Sequence, residues 1–199
     1  MNFAVLASGR GGNLKAIIEA VKSGAIKAHL KVVISDKKDA YALTGAREAQ
    51  IPTAFINPED FSDRESYDRA VVECLQEFKI DFIVLAGYMR LLSSYFIRQY
   101  PDKILNIHPS LLPAFKGTHA IKDAFDYGVK VTGPTVHFVC DEVDAGAIIL
   151  QEPVRVDPGD TLESLEGKIH QAEHRIYPKV IDLFVRGCLK IEGRKIIVL

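Results

Sequence analysis

From residue 3 to residue 86, short apolar runs alternate with longer stretches of helical period, and that alternation restricts the chain to an α/β fold built on parallel strands. Phe3 to Ala7 is an apolar run ended by Ser8-Gly9-Arg10-Gly11-Gly12-Asn13. Leu14, Ile17, Ile18 and Val21 then recur at helical spacing as far as Gly24. Leu30 to Ser35 reads as a second strand, residues 41–50 as a helix, and Thr53 to Asn57 as a third strand between Pro52 and Pro58. Ser62 and Glu65 form a candidate capping box for a helix whose apolar face holds Tyr67, Ala70, Val71, Cys74, Leu75 and Phe78. Asp81 to Ala86 is apolar without alternation, as a strand buried on both faces would be.

The glycine loop after the first strand is the first candidate site. Glycines let a backbone turn tightly and approach a ligand, and the N–H groups of the following helix start attract an anion. A dinucleotide loop, a nucleotide P-loop, a monophosphate cradle and a plain tight turn compete here. The dinucleotide fingerprint wants Gly or Ala where Leu14 stands, and the P-loop wants a Gly-Lys-Ser/Thr that is absent. Asp36 at the end of the next strand keeps the dinucleotide reading open, but a monophosphate cradle fits best.

Two more strand ends carry unusual content. Gly87-Tyr88-Met89-Arg90-Leu91-Leu92 follows the fourth strand, as simple packing or as the floor of a pocket for a flat aromatic ligand. Asn106-Ile107-His108-Pro109-Ser110-Leu111-Leu112-Pro113 follows an apolar strand over Lys103 to Ile107. Alternation puts Asn106 and His108 on one face. An amide N–H and an imidazolium together suit an oxygen gaining negative charge, while the plain alternative is a capped strand end with a solvated histidine. Ligands of open parallel sheets bind outside the carboxyl ends of strands, so one shared site is expected.

Farther on, Ala120 to Tyr127 reads as a helix stopped by Gly128. Val131 to Val139 and Ala147 to Val156 are β-rich around an acidic excursion, Asp141-Glu142-Val143-Asp144-Ala145-Gly146. His137 is one polar position on a strand whose facing the pattern leaves open. Asp160 and Glu163 open a last helix with an apolar face from Leu162 to Leu183, which Pro178 should kink. His170-Gln171-Ala172-Glu173-His174 matches a zinc-ligand order, but no third ligand accompanies it, so no metal is expected. Ile191 to Leu199 should close the chain as an edge hairpin.

At 199 residues and 48% hydrophobic, the chain can bury one good core, and one domain over 1–199 is expected. A net charge of −1 without a basic stripe argues against nucleic acid and anionic membrane, leaving small molecules as partners. Cys74, Cys140 and Cys188 are odd in number and far apart, which suits reduced thiols. With no basic-flanked apolar leader and no run of spanning length, the expected location is the cytoplasm.

Taken together, the segments 7–14, 85–90 and 106–113, Thr135-Val136-His137-Phe138 and Glu173-His174-Arg175-Ile176-Tyr177-Pro178 closely resemble the phosphoribosylglycinamide formyltransferases, folate-dependent enzymes of purine biosynthesis. The Asn-x-His piece is shared with other formyl-folate enzymes, whereas the glycine loop and the Glu-His-x-x-Tyr-Pro piece are particular to the purine enzymes. The resemblance implies a single-domain open twisted α/β sheet, Rossmann-like and parallel in its N-terminal part, with an antiparallel C-terminal extension. It divides the domain into a phosphate-binding half (1–100) and a folate-binding, catalytic half (101–199). Asn106, His108 and Asp144 match the catalytic set. Gly11, Gly12, Asn13 and Leu14 match the phosphate cradle, and His170 and Glu173 the region that reaches the ribose. Arg64, Met89, Arg90, Leu91, Leu92, Asn106 and the Cys140, Asp141, Glu142, Val143 and Asp144 loop match the folate side. Gly12 stands where Ser is expected, and Cys140 and Ala147 where Asp and Pro are. Affinity is more exposed to these departures than activity.

The chemistry implied is formyl transfer from 10-formyltetrahydrofolate, a co-substrate, to the glycinamide amine, without a metal, by a monomer or homodimer. Asn106 and protonated His108 would stabilise the oxyanion, and Asp144 would favour the charged imidazole. A formyltetrahydrofolate deformylase, or another formyl-folate enzyme, is the nearest alternative. A non-catalytic dinucleotide-binding domain is the alternative of a different class.

Overall fold

The computed structural model describes residues 1–199. They form two compact units, Met1–Leu105 and Asn106–Leu199.

In the first unit, β1 (Asn2–Leu6) lies between β2 (His29–Ser35) and β4 (Phe82–Leu85), and β3 (Thr53–Phe55) flanks β2. All these pairings are parallel. The strands read as unbroken apolar runs because both faces are covered: Phe3, Ala4, Val5 and Leu6 are all fully buried, and Phe3 stacks on Phe82 with ring centroids 5.1 Å apart. Large apolar side chains buried this completely, such as Phe3, Val5 and Leu6, contribute about 1.5–3 kcal/mol each. Helix α1 (Gly12–Lys22) buries Leu14, Ile17 and Ile18, α2 (Tyr41–Glu48) buries Ala42, Leu43 and Ala46, and α3 (Arg64–Glu77) buries Tyr67, Val71 and Leu75. A short helix, α4 (Ser94–Gln99), is capped by Ser93.

The capping box of α3 sits one residue beyond the expected one. The Asp63 carboxylate accepts the Ser66 N–H at 2.8 Å, and the Ser66 hydroxyl reaches back to the Asp63 N–H. Glu65 turns instead to Arg69, at 2.7 Å. Two adjacent residues could each cap this helix, and pattern alone does not choose between them.

Strand β5 (Ile104–His108) carries the chain into the second unit. There β7 (Thr135–Phe138) pairs antiparallel with β8 (Ile148–Gln151), and the short β6 (Val131–Thr132) pairs antiparallel with β9 (Val154–Arg155). The class is therefore the expected one, α/β with parallel strands first and antiparallel strands later. Helix α5 spans Ala120–Tyr127, the expected range, and ends on Gly128 in the left-handed region at φ +80°. Helix α6 (Leu162–Val185) runs through Pro178 without a break. Its Leu165, Ile169 and Ala172 pack with Val154 into one cluster. Its capping box is Thr161 with Ser164, again one residue past the expected Asp160 and Glu163. The last hairpin, β10 (Leu189–Glu192) with β11 (Lys195–Val198), forms its own two-stranded sheet rather than an edge of a larger one. No helix is long and apolar enough to cross a membrane.

Candidate active site

Four polar side chains of the second unit meet around the end of β5. His108 is only 5% exposed, and its Nε2–H donates to the Phe115 carbonyl at 2.8 Å. Its Nδ1 lies 3.4 Å from Asp144 Oδ2.

Asp144 reaches this position from a left-handed backbone, φ +49°. Its carboxylate also accepts the Gly117 N–H at 3.0 Å, so two loops hold it in place. Nearby, Lys116 pairs with Glu142 at 2.9 Å and holds the Glu142 carboxyl below its usual range. Gly146 allows the excursion to close: a Cβ there would stand 1.7 Å from the Phe138 carbonyl oxygen.

His137 is the member that sequence reasoning left without a facing. All four residues of β7 are buried, so no alternation of exposure marks its side. Its Nδ1–H donates to the Phe138 carbonyl at 2.8 Å, leaving Nε2 as an acceptor for an amide N–H of Asn106 at 3.1 Å. The amide carries a second hydrogen beyond this bond.

Burial pushes the His137 imidazole below its usual value near 6.5. The Phe138 carbonyl and Asp144, 3.8 Å from Nε2, oppose that shift, and His108 adds to it. A histidine with a lowered folded value resists protonation only while folded. Its contribution to stability is thus present above about pH 6.5 and is lost as pH falls through the lowered value. His137→Gln should therefore lose less of its urea midpoint between pH 7.5 and pH 5.5 than the parent, and an equal loss in both contradicts this reading.

In the first unit, Gly11 is the left-handed N-cap of α1 at φ +81°, and Gly12 is the helix's first residue. No side chain caps this start and no acidic residue stands in its first turn. Gly12, Asn13 and Leu14 make up the first turn of this helix, and the Leu14 side chain is buried in the core. A cavity of about 410 Å³ is lined by Arg10, Gly11 and Gly12 at the start of α1 and by Ile18, Lys22 and Glu48 farther along α1 and α2.

The 87–92 segment is more ordered than a simple exposed loop. Gly87 is left-handed, its carbonyl accepts the Ser8 N–H at 3.0 Å, and the Met89 N–H donates to Ser8 Oγ at 2.9 Å. Tyr88 is buried, with its hydroxyl 3.0 Å from that of Tyr67. Burial raises both phenols, Tyr67 to about 12. Arg90 lies over the Tyr67 ring, 4.6 Å from its centroid. Met89 and Leu91 are exposed, at 61% and 52%, and Leu92 is half-buried. Arg64 is exposed at the first turn of α3, where it lines an open cavity of about 660 Å³ with Arg69 and Ser93.

The remaining candidates are in the second unit. Cys140 is half-buried with its thiol directed to the Glu142 carbonyl, and Asp141, Glu142 and Val143 are exposed. On α6, exposed His170 approaches buried Glu173, Nδ1 to Oε2 at 3.0 Å. The chain has no group of three or more His, Cys, Asp or Glu side chains that could hold a metal ion.

Comparison with known proteins covers both units. A family model described as formyl transferase matches residues 1–181. The phosphoribosylglycinamide formyltransferase of Escherichia coli is 44% identical over 191 residues, 96% of this chain and 90% of that protein. The trifunctional purine biosynthetic protein adenosine-3 of Bos taurus is 47% identical over 188 residues, 94% of this chain, and the chain spans 19% of its length. The crystal structure of glycinamide ribonucleotide transformylase 1 from Symbiobacterium toebii is similar with a TM-score of 0.98 at 48% identity, covering 100% of this chain and 94% of that one. With a match running from the glycine loop into α6, the chain belongs to the formyl transferase family.

Proposed function

We propose that the chain transfers the formyl group of 10-formyltetrahydrofolate to the amine of 5′-phosphoribosylglycinamide, a step of purine biosynthesis. The observation that carries this reading is the cluster of buried His108 with half-buried Asn106 and Asp144, a carboxylate lying 3.4 Å from the imidazole. The family gives that cluster its chemistry. In this reading residues 1–199 act as one formyltransferase domain, in the cytoplasm, as a monomer or homodimer, on small molecules alone.

The neutral amine attacks the formyl carbon, and its lone pair forms the new C–N bond as the carbonyl electrons move onto oxygen. Asn106 and His108 supply N–H donors to that oxygen, each worth about 3 kcal/mol in the transition state. His108 has both nitrogens engaged in the resting protein, so it exchanges one partner for the substrate oxygen. When the intermediate collapses, the C–N10 bond breaks, the folate nitrogen takes a proton and the attacking amine loses one. Asp144 and His108 are the groups placed to relay these protons. No covalent enzyme intermediate is required.

For the phosphate, the uncapped start of α1 supports a role for the backbone of Gly11, Gly12, Asn13 and Leu14. His170 and Glu173 are assigned to the ribose. Gly11→Val should raise the KM for the ribotide far more than that for the folate, and equal rises would remove the assignment. Ala42 Cα would lie 3.0 Å from a Cβ at Gly11, so a loss of stability should accompany the kinetic change.

Exposed Met89 and Leu91 and half-buried Leu92 support an apolar wall for the pterin, and Arg64, Arg90 and the Cys140 to Asp144 loop are assigned to the folate as well. Leu92→Asp should weaken binding of a folate analogue by at least about tenfold, given the cost of burying a carboxylate against an apolar ring. Unchanged affinity would place the folate elsewhere. The first test of the whole reading is turnover with the two substrates.

A further inference from the structure

His108 is held from one side by a carbonyl whose own direction needs explaining. Phe115 sits in the left-handed region, φ +51°, which a phenylalanine adopts only when its surroundings impose it. A chain of hydrogen bonds that starts on β8 ends at this carbonyl.

Gln151 stands directly opposite Thr135 in the β7–β8 ladder. Its amide nitrogen donates to Thr135 Oγ1 at 2.8 Å and to the Leu112 carbonyl at 3.0 Å. The fully buried Thr135 hydroxyl donates to the Ser110 carbonyl at 2.6 Å and accepts the Leu112 N–H at 3.1 Å. One hydrogen and two lone pairs are all a hydroxyl has, so Thr135 is saturated. Ser110, also fully buried, directs its hydroxyl to the Ala114 carbonyl at 2.5 Å and to the Phe115 carbonyl at 3.2 Å. That last carbonyl takes the His108 Nε2–H.

We propose that Gln151 is a positioning residue for His108, acting through Thr135 and the Ser110–Phe115 turn. The proposal rests on His108 acting in the formyl transfer. A carbonyl oxygen only accepts, so a fixed Phe115 carbonyl keeps the hydrogen on Nε2 and leaves Nδ1 as the nitrogen toward Asp144. If the turn loosens, the ring is free to rotate or to move its hydrogen to the other nitrogen.

The test uses the full chain labelled with nitrogen-15, with His108→Ala to assign the ring signals. In the parent, His108 should show the pattern of a hydrogen fixed on Nε2. Gln151→Met keeps the length of the side chain and removes both donors. It should give a mixture of tautomers, lower kcat about tenfold, the size expected when buried acceptors lose their donors, and leave both KM values within about twofold. Thr135→Val cuts the relay one bond further on and should reproduce both effects, whereas Thr135→Ser, which keeps the hydroxyl, should rescue them. This pair decides the matter should Gln151→Met fail to fold.

A folded Gln151→Met protein with the parent's His108 spectrum or the parent's kcat overturns the proposal. So does equal damage from Thr135→Ser and Thr135→Val, which would make the role one of packing. If His108→Ala itself turns over normally, the catalytic reading fails, yet the spectra still decide whether Gln151 positions the ring.

Discussion

Asp144→Asn is expected to lower formyl transfer by about 10²-fold or more, the usual loss of acid–base assistance. The carboxylate faces His108 at 3.4 Å and His137 at 3.8 Å, within reach of the groups that would pass protons. An amide keeps the shape without the charge. Asn still offers an oxygen to the Gly117 N–H, now 3.0 Å from the carboxylate, so the loop and the fold should survive. Stability should therefore change little while activity falls. The groups facing His108 are Asp144, His137 and the Phe115 carbonyl, and only the first carries a negative charge. Near-normal turnover by a folded Asp144→Asn protein would reduce Asp144 to a turn residue.

The second large effect belongs to Gly146→Ala. The added Cβ would meet the Phe138 carbonyl oxygen at 1.7 Å and its carbon at 2.7 Å, distances that no rotamer change can relieve because both atoms are backbone. The backbone itself must shift. The same carbonyl takes the His137 Nδ1–H, and the Phe138 N–H donates to the Ala147 carbonyl at 3.0 Å, so a shift disturbs the strand pairing and the histidine together. A loss of about 3 kcal/mol in urea unfolding is expected, at the upper end of overpacking costs, with reduced activity in whatever remains folded. Gly167→Ala is the control. It lies inside α6 with nothing within 4 Å of its Cβ, and should gain about 0.5–1 kcal/mol from helix propensity. If both variants unfold at the parent's midpoint, the close approach at Gly146 is wrong.

The parallel strands were legible because burial on both faces makes them unbroken apolar runs, and because glycines punctuate them. Helix α5 was readable to the residue, since Gly128 supplies an unambiguous stop. Helix starts were displaced by one residue where two adjacent side chains could each cap, Ser62 or Asp63 and Asp160 or Thr161. Asn106 with His108 could be paired from strand alternation alone. Asp144 could not be brought to them by any local pattern, since a left-handed turn and a contact from Gly117 set its place, and only resemblance singled it out. His137 and Gln151 escaped because their roles lie in long-range hydrogen bonds, about which composition and periodicity carry no information.

The most direct measurement is steady-state turnover of 5′-phosphoribosylglycinamide with 10-formyltetrahydrofolate by the parent chain and by Asn106→Ala and His108→Ala. Folate product and any released formate would be followed in the same reaction. The account predicts one formylated ribotide per folate consumed, little formate when the ribotide is omitted, and a fall in kcat of about 10²-fold or more for each variant. Formate released at the full rate without the ribotide would indicate hydrolysis instead of transfer, and variants that turn over like the parent would contradict the role given to the β5 cluster.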